Sequence, residues 1–291
     1  MEADILYLQE LLKARYVGSY EPGHMGAEIL RFKKLSDASP LVVKITRGNK
    51  QEAVADIRAN IIGYDAIRQL GGGRILPPDL EMVPLAGATA LAMKDLGASW
   101  RQADPGITGA RSLWRAFKDL VISTKSDSVP PTAGQQPIFV ETVLSALARF
   151  DDDSFGILDI VRQSGFSEEC GQSALMLLDF TPDNLFYCDG SLSFIDPWQQ
   201  ETYLGNPAVS IGQFSALVKI YDMSDSVAIA HFLNSACVTE LPALLNGSSD
   251  AVEQSLRLGA TLQLAASAFV RRQSDSQRSE KLRQEARSLW T

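Results

Sequence analysis

Apolar and polar positions recur with two periods along this chain, and the change of period divides it. Residues 1–17 (MEADILYLQELLKARYV) read as an amphipathic helix. Residues 16–35 (YVGSYEPGHMGAEILRFKKL) read as two strands joined by a turn at Pro22-Gly23-His24-Met25-Gly26. A third short strand, rich in β-branched residues, covers 40–45. In residues 51–70, Val54, Ile57, Ile61, Ile62 and Ile67 fall at helical spacing, and Gly71-Gly72-Gly73 stops that helix. Two more strands follow around 80–84 and 88–93, and Asp95-Leu96-Gly97 closes the unit. From about residue 108 the period is helical, with amphipathic stretches at 110–122, 137–150 and 155–164 and a loop at 126–137 (SDSVPPTAGQQP). A strand pair at 185–187 and 192–195, joined by Cys188-Asp189-Gly190-Ser191, interrupts the helices. They resume to the C-terminus and end in a highly charged segment, 274–291, expected to be a partly exposed helix.

The order strand–strand–strand–helix–strand–strand, followed by helices, predicts an α+β bilobal architecture. Residues 1–97 would form a small antiparallel-sheet lobe with one helix, and 98–291 a larger, mostly helical lobe, with a crevice at their junction. At 291 residues, 45% apolar and 21% charged, the chain can build two cores and has the composition of a soluble enzyme. No apolar run approaches the roughly 20 residues a membrane helix needs, and the start lacks the pattern of a secretory signal. Cys170, Cys188 and Cys237 leave an odd thiol and have no metal-ligand spacing, which fits a reducing cytoplasm. A net charge of −8 argues against nucleic acid as a partner. It is consistent with a cationic substrate, or more simply with a solvated acidic surface; the acid runs Asp151-Asp152-Asp153 and Glu168-Glu169 are read the same way. Phosphate-binding G-x-x-x-x-G-K-[ST] and G-x-G-x-x-G loops are missing. Two histidines, His24 and His231, supply neither a zinc site nor a Ser–His–Asp triad.

Residues 177–198 (LLDFTPDNLFYCDGSLSFIDPW) carry the most chemistry. Asp179 precedes Asn184 by five residues; a short hairpin then returns Asp196 beside them. Such a set suits metal-assisted phosphoryl transfer, which needs one group to orient a hydroxyl nucleophile and oxygen ligands to hold Mg²⁺ on the phosphates. Taken singly, each residue has a plainer role: Asp179 capping a turn before Pro182, Asn184 closing an Asx turn, Asp196 capping the turn at Pro197. Lys44, flanked by Val42, Val43 and Ile45, either snorkels to solvent or meets an anion.

Four segments in order, Leu41-Val42-Val43-Lys44, Ala90-Leu91-Ala92-Met93-Lys94-Asp95-Leu96-Gly97, Asp179-Phe180-Thr181-Pro182-Asp183-Asn184 and Phe194-Ile195-Asp196, resemble the aminoglycoside phosphotransferase and choline kinase group, small-molecule kinases of protein-kinase-like fold. The resemblance implies Asp179 as the catalytic base that aims the acceptor hydroxyl, and Asn184 and Asp196 as Mg²⁺ ligands. It makes Lys44 the holder of the nucleotide phosphates. Glu52 and Asp56 lie four apart on one face of the following helix; Asp56 is favoured as the partner of Lys44, although matching by length falls near Asn60, which is not an acid. Gly23, His24 and Gly26 would lie on a turn covering the phosphates, and Ala92, Met93 and Lys94 would present backbone to the adenine edge. The chain departs from the group at Leu177, where members usually carry histidine, at Pro197-Trp198, and at Ser210, where an acid often follows the Gly205-Asn206-Pro207 turn. The implied activity is ATP- or GTP-dependent phosphorylation of a small hydroxylated molecule, an aminoglycoside or other antibiotic, a sugar or an amino alcohol. The rivals are an inactive nucleotide-binding pseudokinase and a kinase of proteins.

Overall fold

The structure, a computed structural model, describes residues 2–20, 27–47, 51–85, 88–126, 138–151, 155–165, 171–188, 191–197 and 204–291. The first lobe runs α1 (Glu2–Leu11), β1 (Ala14–Tyr20), β2 (Glu28–Lys34), β3 (Pro40–Arg47), α2 (Gln51–Gln69), β4 (Glu81–Leu85) and β5 (Ala88–Lys94). Its five strands form one antiparallel sheet in the order β1-β2-β3-β5-β4. The second lobe begins with α3 (Trp100–Ala103), α4 (Gly106–Thr124), α5 (Ile138–Ala148) and α6 (Ile157–Gln163). Four short strands follow: β6 (Ala174–Leu175), β7 (Leu185–Cys188), β8 (Ser191–Phe194) and β9 (Leu204–Gly205). The chain finishes with α7 (Ala208–Ile220), α8 (Ser226–Leu245), α9 (Ser249–Arg271) and α10 (Ser276–Ser288). This is the α+β, sheet-then-helix order expected from the periodicity. The first helix is shorter than its pattern suggested. Lys13 turns left-handed at φ 47°, and the chain enters β1 at Ala14, where Tyr16 pairs with Phe32.

Strand alternation gives the sheet two different faces. Leu30, Phe32, Leu41, Val43, Ile45, Ala90 and Ala92 pack with Leu8 of α1 in a small core of their own. The opposite parity, which includes Val42, Lys44, Leu91 and Met93, faces the second lobe. Here Leu91 and Met93 join a larger core with Ile57, Tyr64 and Ile67 of α2 and with Trp100, Phe117, Phe180, Phe194 and Phe214. Helix α2 therefore belongs to the packing of both lobes. Each fully buried aromatic or branched side chain contributes about 1.5–3 kcal/mol, so this shared core holds the cleft in register.

Helix α7 is buried along its length except at Lys219. It lies so close to α9 that a Cβ on Gly212 would run into the Leu256 carbonyl, and one on Gly259 into the Val209 carbonyl. Backbone cannot yield as a flexible side chain does. Gly212→Ala is expected to cost about 1–3 kcal/mol. For a chain of this size that is a fall of several degrees in the unfolding midpoint, about 2–4 °C per kcal/mol, measurable by thermal denaturation.

Helix α8 corrects the reading that no apolar run nears membrane length: its 20 residues have a mean hydropathy of 1.3 over an 18-residue window. Its inner face, Ile229, Leu233, Cys237, Leu241 and Leu245, is buried in the larger core, against neighbours that include α4, α7 and α9. Burial also pushes the Cys237 thiol well up, out of the reactive range.

Candidate active site

The expected charge is delivered from a buried strand. Lys44 lies on β3 opposite Ile29 on one side and Leu91 on the other. Its ammonium donates to Asp196 Oδ1 at 2.9 Å and to Asn60 Oδ1 at 3.1 Å. Asn60, buried on α2, in turn donates from Nδ2 to the Pro197 carbonyl at 3.3 Å. One turn further along α2, the Tyr64 hydroxyl accepts the Asp196 N–H at 3.1 Å. A lysine, an amide and a phenol thus fix one carboxylate and the backbone around it. The α2 residue seen at Lys44 is Asn60, whereas the favoured Asp56 has a side chain outside the described residues. Lys44 takes its opposite charge from Asp196, 152 positions away in sequence.

Asp179 follows the apolar run Ala174–Leu178, whose residues are all buried. Asn184 Nδ2 donates to Asp179 Oδ2 at 2.9 Å and to the Asp179 carbonyl at 3.2 Å, closing the loop on itself. The Asn184 N–H bonds back to Thr181, and the Asn184 carbonyl accepts from Ile195 N at 2.9 Å. That last bond extends the β7–β8 hairpin by one rung and brings Asp196 next to Asn184. Both Asp179 (φ 63°) and Asp196 (φ 51°) are left-handed. Four other aspartates share that conformation, so it marks tight loops here rather than catalysis. Phe180 pins the loop from below, its ring 5.6–6.1 Å from those of Phe117, Phe214 and Phe194.

Leu177 and Ser210, two of the positions at which the sequence departs from the resembling group, touch each other. The Ser210 hydroxyl, fully buried on α7, accepts the Leu177 N–H at 2.9 Å. Thr124 of α4 does the same for Leu175 N at 3.1 Å. An apolar side chain at 177 fills the core, and a neutral hydroxyl is enough to satisfy the backbone beneath it. The loop is hung on hydroxyls instead of ions. Ser210→Ala would leave the Leu177 N–H buried without an acceptor, at about 1–3 kcal/mol. Chemical denaturation should show that loss.

A second cluster borders the loop on its open side. Arg101 of α3 pairs with Asp183 at 3.2 Å, donates its backbone N–H to the Pro182 carbonyl at 3.0 Å, and stacks 3.8 Å from the Tyr221 ring centroid. The Tyr221 phenol is pushed far up by burial and by the charge and hydrogen bond of Asp183, with a further contribution from Asp179. It stays a neutral hydroxyl beside the Asp179 carboxylate at any physiological pH. Periodicity carries no signal for this cluster, because α3, the loop and the end of α7 meet only in the fold.

Solved structures share this arrangement of elements. An aminoglycoside phosphotransferase from Alicyclobacillus acidocaldarius superposes with a TM-score of 0.51 at 12% identity, covering 99% of this chain and 95% of that one. An ethanolamine kinase from Plasmodium vivax gives 0.50 at 10% identity, covering 97% and 85%. The chain has the protein-kinase-like fold. No protein-family model matches the sequence, and no curated protein is detectably similar to it.

Within the kinase-like fold, Lys44, Asp196, Asn184 and Asp179 come together as the sequence suggested, linked by the bonds above. Gly23, His24 and Gly26 lie outside the described residues. Ala92, Met93 and Lys94 belong to β5, an inner strand, with Ala92 paired to both Val43 and Glu81. The Lys94 N–H donates to the Pro78 carbonyl and the Asp95 N–H to that of Pro40. These two N–H groups are taken within the first lobe, and the segment that leaves the sheet begins at Asp95. Asn60, Tyr64, Phe180 and Ser210 were not singled out for these roles. The nearest signal was the length match at Asn60, set aside because an amide is not an acid.

Proposed function

We propose that the protein transfers the terminal phosphoryl group of ATP or GTP to a hydroxyl of a small molecule, with Mg²⁺ as cofactor. The observation that carries this reading is the convergence of Lys44, Asp196, Asn184 and Asp179 from three separate parts of the chain. The donor set fits the metal: one carboxylate, Asp196, and one amide, Asn184, whose nitrogen is turned onto Asp179 and whose oxygen remains for a cation. Among the described residues no group of three or more His, Cys, Asp or Glu could hold a metal. That suits an ion arriving on phosphate oxygens, not one caged by protein. When bound, Mg²⁺ would neutralise charge building on those oxygens.

Asp179 accepts the hydrogen bond of the acceptor hydroxyl and aims its lone pair, while Asn184 fixes the carboxylate. Lys44, held by Asp196 and Asn60, offers its ammonium to the incoming phosphates. Fixed donors of this kind are worth about 3–4 kcal/mol in a transition state. The names of the two structural neighbours support an aminoglycoside or an amino alcohol as acceptor class. The test is labelled-phosphate transfer from ATP and GTP, with Mg²⁺, to aminoglycosides, amino alcohols, sugars and bulk protein. Transfer to a small molecule supports the reading. Nucleotide binding without transfer to any acceptor would favour a pseudokinase, and transfer only to protein would favour a protein kinase.

A further inference from the structure

The cleft face of the first lobe ends in a polar cluster that the phosphoryl-transfer residues do not use. Strand pairing places Tyr20 beside Ile29 and Ile29 beside Lys44, while Arg31 lies between Gly18 and Val42. By alternation, Tyr20, Arg31, Val42 and Lys44 share one face. At the end of that face the Tyr20 hydroxyl donates to both oxygens of Asp95, at 3.1 and 3.3 Å. Arg31 Nε lies 3.6 Å from Asp95 Oδ2, and its guanidinium carbon is 4.6 Å from the centre of the Tyr20 ring. The Gly97 N–H holds Asp95 Oδ1 at 3.0 Å, which fixes the carboxylate where the chain leaves the sheet. Arg31 Nε is buried and lacks a hydrogen-bond partner.

We infer that the phosphoryl donor is a guanine nucleotide, its base read by Asp95 and Arg31. This rests on the reading that a nucleoside triphosphate lies along the cleft face with its phosphates at Lys44. Leu91 stands opposite Lys44, and Asp95 is four residues further on. At ~3.3 Å per residue that is about 13 Å, comparable with an extended nucleotide from phosphates to base edge. Between the two ends Val42 and Met93 pair across the face, Arg31 stands beside Val42, and a Cβ on Gly18 would meet nothing. A carboxylate only accepts hydrogen bonds. Guanine presents two adjacent donors, N1–H and the N2 amine, which a carboxylate can take together. Adenine presents N1 as an acceptor, which would oppose the carboxylate lone pairs. Guanine O6 and N7 are acceptors for a guanidinium, and adenine lacks O6. The Tyr20 hydroxyl sits on the oxygens that the base donors would take.

The experiment measures binding of GTP, ITP, ATP and XTP, each with Mg²⁺, to the full chain by displacement of a fluorescent nucleotide analogue, or directly by calorimetry. GTP should bind at least about tenfold more tightly than ATP, the discrimination typical of one good bidentate pair. ITP, which lacks the N2 amine, should fall between them. Asp95→Asn should weaken GTP about tenfold and gain XTP, whose C2 oxygen accepts from the new amide. Tyr20→Phe, which removes the competing donor, should raise GTP affinity. ATP binding as tightly as GTP in the unaltered protein overturns the assignment, whether or not the variants fold. So does an Asp95→Asn protein with an unchanged melting temperature that loses ATP and GTP in parallel. ATP binding with metal-dependent transfer would sink only the base assignment. Binding of no nucleotide at all would sink the phosphotransferase reading with it.

Discussion

Asp179→Asn should lower kcat by about a thousandfold, within the 10²–10⁴ range of a positioned acid or base, and leave nucleotide affinity within about twofold. The substitution keeps the size and one oxygen of the side chain. It removes the negative charge that receives the acceptor hydroxyl and forces an amide nitrogen either toward that hydroxyl or toward Asn184 Nδ2, which now donates to Asp179 Oδ2. In both arrangements a donor faces a donor. The groups proposed to meet the phosphates and metal, Lys44 and Asp196, bond to each other at 2.9 Å, a contact that the substitution leaves in place. Single-turnover transfer and equilibrium nucleotide binding separate the two effects. A variant with undiminished turnover removes Asp179 from the chemistry.

Asp196→Ala should act on binding, and differently with and without metal. With Mg²⁺ present, loss of a carboxylate ligand should weaken nucleotide affinity at least tenfold, the lower end of what even indirect disturbance of a metal site costs. With the metal chelated, the variant should bind nucleotide no worse than the unaltered protein, because the 2.9 Å carboxylate that competes with phosphate for Lys44 is gone. The ligand-free variant should also be less stable, by about 1–3 kcal/mol, since a mostly buried ammonium loses a charged hydrogen bond. Calorimetry in Mg²⁺ and in chelator, beside thermal denaturation, reads all three. Equal affinity in both buffers for both proteins would remove Asp196 from any metal site.

The architecture was legible because its signals are local: a β-branched run for β3, apolar spacing for α2 and α4, and a hairpin between Asn184 and Asp196. Where local signals compete, the reading drifted. Ala14–Val17 continues the apolar pattern of α1, yet the chance to pair Tyr16 with Phe32 makes it strand. Candidate residues with conspicuous chemistry, Lys44 and the acids, stand out through the ordered motifs that carry the resemblance. Those that act by holding backbone do not. Asn60 and Tyr64 look like ordinary helix residues until Pro197 and Asp196 arrive from the far lobe. Leu177 and Ser210 read as two separate departures, and only the 2.9 Å bond between them shows that they meet.

Helix α2 has a mechanical corollary. It is buttressed by the large lobe through Ile57, Tyr64 and Ile67, and it tethers the segment at Asp196 and Pro197 through Tyr64 and Asn60. Rotation about the linker alone therefore cannot pry the jaws apart without snapping those tethers. Any wider gape has to come from the upper sheet gliding across a helix that stays moored below.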